Sequence, residues 1–131
     1  MSTTRAGVRI DTDLTTSNTH VPGPWALRKA VLHDELGGDP HFSRFAAAGG
    51  ALCVISRTSA DGADPTLPVN ELATAFVRRA TGQAPPRSLR GPVVVLGAGH
   101  IGGLWRTGDL TDFHRALLYS LAREQGGPSG G

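Results

Sequence analysis

Apolar and polar positions alternate near the start of the chain, with Val8, Ile10, Thr12 and Leu14 on one side and Arg9, Asp11 and Asp13 on the other. A period of two is that of a strand with one face on a core and one in water, so a first strand is expected from Val8. Residues 15–24, rich in Ser, Thr, Asn, Pro and Gly, read as a loop. Pro24 is placed to open a helix to Leu36, which Gly37-Gly38 ends. Leu27, Ala30 and Val31 give that helix an apolar stripe, with Leu32 and Leu36 one turn apart beside it. His41 to Ala48 reads as a short helical turn, Ala51 to Ser56 as a strand buried on both faces, and Thr58 to Thr66 as a polar loop.

The second half is more regular. Asn70 is a preferred N-cap, because its side-chain oxygen can accept from an unpaired first-turn N–H, so a helix is expected over Asn70 to Thr81 with Leu72, Ala75, Phe76 and Ala80 inward. Gly82 stops it, and Pro85-Pro86 follows as a rigid connector. Pro92 to Leu96 predicts a central strand, with Ile101 to Arg106 returning beside it. A last helix, capped by Asp109 or Thr111, is expected to Gln125, with Leu110, Phe113, Leu117 and Leu121 on its apolar stripe and Leu118 alongside. The architecture implied is α+β: a small single-domain sheet of three or four strands packed by about three helices. The domain should span 8–125, with disordered ends at 1–7 and 126–131.

Composition narrows the class. The 131 residues suit one domain, and 18 Gly with 9 Pro leave a small core without reaching a low-complexity composition. Thirteen basic against eleven acidic residues give a formal charge of +2, and Lys29 is the one lysine. That balance alone does not mark a nucleic-acid binder. Cys53, the single cysteine, lies in an apolar run, which makes it a buried small hydrophobe and excludes an intrachain disulfide and cysteine-based zinc sites. No stretch resembles a secretory signal or a membrane span, so the expectation is a soluble cytoplasmic protein with no membrane partner.

Residues 93–102 spell VVVLGAGHIG, a G-x-G-x-x-G after an apolar strand, which in dinucleotide-binding folds brings a helix N-terminus to a pyrophosphate. Gly97, Gly99 and Gly102 are therefore weak candidates for cofactor binding. The fingerprint also needs a helix opening inside it, a second parallel strand and an acid about 20 residues on. Gly102-Gly103 and Thr107-Gly108 interrupt such a helix, and too little chain follows for another strand. A glycine-rich turn between two strands accounts for the motif, and no cofactor is expected.

The remaining constellations are weaker. His33, Asp34, Glu35, Asp39 and His41 are mixed ligand types but lack a recognised metal spacing, so no metal is expected. His100 and His114 lie near Asp109 and Asp112 along the chain, which general acid–base work would need only if they met in a cleft. Hydrolase and P-loop signatures are absent, and no catalytic residue is assigned. No acid occurs between Glu71 and Asp109, whereas Arg78, Arg79, Arg87, Arg90 and Arg106 all do. Arginine suits bidentate contact with phosphate or carboxylate, so these five are the candidate partner-binding residues.

Two blocks, Leu67-Pro68-Val69-Asn70-Glu71-Leu72-Ala73-Thr74 and Gly91-Pro92-Val93-Val94-Val95-Leu96-Gly97, resemble a domain-of-unknown-function family common in phages and in the plasmids or genomes of GC-rich bacteria. The resemblance implies a small α+β domain in a mobile-element context and offers no established activity to carry over. The expected function is a non-catalytic accessory interaction protein that binds a host or element macromolecule, most often a protein. Nucleotide binding through Gly97 to Gly102 and nucleic-acid binding through an arginine-rich surface are the alternatives. The oligomeric state is not legible in the sequence.

Overall fold

The computed structural model describes residues 4–59, 62–63, 66–85, 88–101 and 103–126. Val8 and Ile10 lie inward on strand β1 (Arg5–Ile10), which begins at Arg5 and not at Val8. It ends at Ile10 because the chain turns at once: Asp11 N–H donates to Thr15 O (2.9 Å), and Leu14 adopts a left-handed φ of 72°. The Asp13 carboxylate accepts from the Thr15 hydroxyl and N–H, which hold its pKa below the usual carboxylate range. Leu14 is therefore a turn residue, not a continuation of the alternation.

The turn feeds β2 (Thr16–Val21), where a loop was expected. It pairs antiparallel with all of β1, from Ile10↔Thr16 to Arg5↔Val21. Further along the chain come α1 (Trp25–Leu36), β3 (Pro40–Phe45), β4 (Ala51–Ser59), the two-residue β5 (Gly62–Ala63), α2 (Glu71–Thr81), β6 (Val93–Ile101), β7 (Leu104–Gly108) and α3 (Asp112–Glu124). β3 replaces the expected helical turn at His41 to Ala48, and β5 pairs with the end of β4 inside the segment read as a polar loop. The main path is β2-β1-β6-β4-β3, with β7 paired to the outer half of β6 and every pairing antiparallel. Among the described residues the fold is α+β with three helices, but its antiparallel sheet has six strands, not the three or four expected. Both missed main-path strands, β2 and β3, lie at its edges, where half the side chains face water and the apolar alternation is weak.

The two central strands divide their side chains between two cores. Leu52 and Val54 of β4, with Val93 and Val95 of β6 and Val8 and Ile10 of β1, pack beneath α2 and α3. Cys53 and Ile55, with Val94 and Leu96, pack against α1 on the other face. Burial on both faces explains why these strands read as continuous apolar runs. Each such fully buried side chain contributes about 1.5–3 kcal/mol. Helix α1 contributes Leu32 and Leu36, while Leu27, expected inward, is 59% exposed. On α3 the buried residues are His114, Leu118, Leu121 and Ala122, and Phe113 is exposed. Thr111, not Asp109, caps α3 through its hydroxyl on His114 N–H.

The two sequence blocks around Asn70 and Gly91 meet in space. Val69 bridges Arg90, Asn70 N–H donates to Leu89 O (2.7 Å), and Gly91 N–H donates to Pro68 O (2.9 Å). Asn70 is fully buried; its Oδ1 caps α2 on Ala73 N–H, and its Nδ2 donates to Ile10 O (2.9 Å) and Gly91 O (2.8 Å). One amide thus ties the end of β1, the approach to β6 and the start of α2.

Candidate functional site

The five arginines selected from the acid-free stretch do not form one surface. Arg78 and Arg79 are exposed on α2, and Arg79 pairs loosely with Glu124 at 3.7 Å. Arg90 is half-buried and donates to Leu67 O (2.9 Å), which ties down the chain leading to α2. Arg87 lies outside the described residues. Arg106, on β7, lines a cavity of about 350 Å³ beside the start of α1.

That cavity gathers arginines far apart in sequence. Its lining is Arg5 of β1, Gly23, Arg28 of α1, Phe42 and Arg44 of β3, and Arg106 and Thr107 of β7, with no carboxylate among the described residues. Thr107 anchors two of the guanidiniums: Arg5 Nε donates to its carbonyl (2.9 Å) and Arg28 Nη1 to its hydroxyl (3.1 Å). Arg44 and Arg106 are exposed and form no ion pair among the described residues. Beneath them Arg44 pairs across the ladder with Cys53. Burial pushes the Cys53 thiol up to about 11, while the charges of Arg44 and Arg28 pull it the other way, so the field of both arginines reaches one buried sulfur.

A second cavity of about 420 Å³ adjoins the first through Arg5 and Thr107, and its lining adds Ala6, His20 and Asp109. Asp109 is engaged there, accepting from Ala6 N–H at 2.7 Å. A third, of about 470 Å³, shares Ala6 and His20 and reaches Asn18, Arg115 and Tyr119. Arg115 Nη1 donates to Asn18 Oδ1 (2.6 Å), as does the Tyr119 hydroxyl (3.3 Å). The three hollows form a track around the edge where β1 begins and β7 ends. Among the described residues, five arginines (Arg5, Arg28, Arg44, Arg106 and Arg115) and His20 line it, with Asp109 the one acid.

Of the arginines lining the track, the acid-free stretch of sequence singles out Arg106 and not Arg5, Arg28, Arg44 or Arg115. Nothing local marks them, because they come from four different elements and converge only when the sheet closes. Two candidate titratable groups elsewhere, His114 and Glu35, have structural partners. His114 is fully buried, with Nε2 on Ala48 O (2.7 Å), Nδ1 on the Thr111 hydroxyl (3.1 Å) and edge contacts to Phe76 and Phe113. Glu35 is bound to Arg9 (3.0 Å), which also pairs with Asp11 (3.1 Å). Desolvation opposes the Arg9 charge, yet the hydrogen bonds to Glu35 and Asp11 leave its pKa raised. No group of three or more His, Cys, Asp or Glu able to hold a metal occurs among the described residues.

Gly97 and Gly99 lie within β6, paired with Gly108 and Arg106, and Gly102 lies outside the described residues. Neither described glycine of this motif has a positive φ. Gly97 is required by crowding instead, since a Cβ there would run into the Asp109 carbonyl. The strand continues into β7, and the next helix to open is α3. No described helix is long and apolar enough to cross a membrane.

No family model matches the chain, and no curated protein matches it. Among solved structures, the crystal structure of small RNA methyltransferase HEN1 is similar, with a TM-score of 0.59 and 15% identity over 92% of this chain. The chain corresponds to 16% of that protein, and at this identity the likeness concerns the fold alone.

Proposed function

We propose that this domain is a non-catalytic interaction module whose macromolecular partner is a nucleic acid, held along the arginine track. The observation that carries the reading is the gathering of Arg5, Arg28, Arg44 and Arg106 around one cavity, with no carboxylate among its described lining residues, continued by His20 and Arg115. Guanidiniums are weakly hydrated, planar donors matched to phosphate oxygens, and clustered positive charge focuses the field on anions. A binding role is favoured over catalysis because His114, Asp109 and Glu35 are each committed to bonds that hold the fold. The structural neighbour is a small RNA methyltransferase, a description that belongs to the neighbour.

The test is fluorescence anisotropy with a single-stranded oligonucleotide carrying hydroxyl ends. Neutralising about four phosphates on a single strand should make log affinity fall against log salt with a slope of about −3. Arg44→Glu with Arg106→Glu should weaken binding more than tenfold, and Arg78→Glu with Arg79→Glu should change it less than twofold. Absence of binding at low salt, with tight binding of a poly-glutamate peptide, would assign the arginines to an acidic protein and overturn the reading.

A further inference from the structure

We infer that the cavity formed by Arg5, Arg28, Arg44 and Arg106 takes the terminal phosphate monoester of a nucleic-acid strand, an end-recognition pocket at one limit of the track. This deepens the nucleic-acid reading and rests on it. The charge is unevenly distributed: four of the track's five arginines surround the one cavity of about 350 Å³, and the fifth, Arg115, lies in the far hollow. A strand's backbone offers one negative charge per nucleotide, and four arginines around one cavity hold more positive charge than one such phosphate matches. A terminal phosphate carries about −1.5 to −2 at pH 7 and three acceptor oxygens, enough for several forked contacts at once. The volume is at the lower end for a small-ligand pocket, which suits one nucleotide end and not a continuous strand.

Two of the four arginines are already positioned. Arg5 and Arg28 are both held on Thr107, one by its carbonyl and one by its hydroxyl, so their forks are oriented before a ligand arrives. Arg44 and Arg106, both exposed, approach from β3 and β7 and supply the remaining charge. The cavity joins the rest of the track through Arg5 and Thr107, so a strand whose end enters here continues past His20 toward Arg115.

The experiment compares one oligonucleotide in three forms, with a 5′-phosphate, with a 3′-phosphate and with hydroxyls at both ends, by competition anisotropy against the wild-type protein. At least one phosphorylated form should bind about tenfold or more tightly than the hydroxyl form, and the preferred end identifies the polarity of the track. Arg44→Gln with Arg106→Gln should abolish that preference while the hydroxyl form still binds. Equal binding of all three forms to the wild-type protein would overturn the pocket and leave the track standing, whereas no binding of any form would overturn both. Because that comparison uses the unaltered protein, it decides the matter even if the double variant folds poorly.

Discussion

Cys53 is 1% exposed, and burial raises its thiol to about 11 although Arg44 and Arg28 oppose the shift. The thiolate fraction at pH 8 is then about one in a thousand. A disulfide reagent should therefore label the native protein far more slowly than the urea-unfolded chain at the same pH. Equal rates would contradict the burial. Because the unfolded thiol titrates near 9.0 and the folded one near 11, the unfolded chain loses its proton first as pH rises. Stability tied to this group is complete below about pH 9 and falls by up to about 2–3 kcal/mol by pH 11. A urea midpoint that stays constant from pH 8.5 to 11 would remove Cys53 from the balance. The burial itself was legible, since an unbroken apolar run leaves a cysteine nowhere else to go; its arginine neighbours were not.

At the scale of elements, the pairing of β6 with β7 depends on a close approach that the glycine motif conceals. Gly97 faces the Asp109 carbonyl where a Cβ would not fit, while Gly99 has nothing within 4 Å. Gly97→Ala should cost about 1–3 kcal/mol through a forced backbone shift, and Gly99→Ala should be neutral or slightly stabilising because it restricts the unfolded chain. Chemical denaturation of the two variants side by side checks this, and similar effects from both would sink the assignment. The same scale shows which elements can be read from pattern. β4, β6, α2 and α3 have strong apolar periodicities because they are buried on one or both faces. β2 and β3 are edge strands with polar sequences, Thr-Ser-Asn-Thr-His-Val and Pro-His-Phe-Ser-Arg-Phe, and only pairing with β1 and β4 makes them strands. Helix α1 lies where the pattern predicts it, but of the Leu27, Ala30 and Val31 stripe and the Leu32 and Leu36 pair beside it, the pair fills the core and Leu27 is exposed. Two overlapping stripes were available, and the sheet selected one.

Over the whole molecule, Asn70 joins more of the chain than any side chain in its segment. Replacing it with alanine removes a helix cap and leaves the Ile10 and Gly91 carbonyls without their buried donor. The expected loss is about 3 kcal/mol, combining roughly 1 for the cap with the cost of the stranded acceptors. A urea titration of Asn70→Ala that lost less than about 1 kcal/mol would show that the junction holds without it. The cap was evident from position alone, but the two carbonyls were not, because Ile10 is 60 residues away.

The amino-acid order by itself determined the α+β class, the three helices and the central apolar strands, since local propensity and burial pattern act over a few residues. The six-strand extent of the sheet, the face α1 presents and the arginine cavity were decided by tertiary structure. Arg5, Arg28, Arg44 and Arg106 are ordinary polar positions on their own elements, and their charges add into one field only where strand pairing and the start of α1 bring them around Thr107.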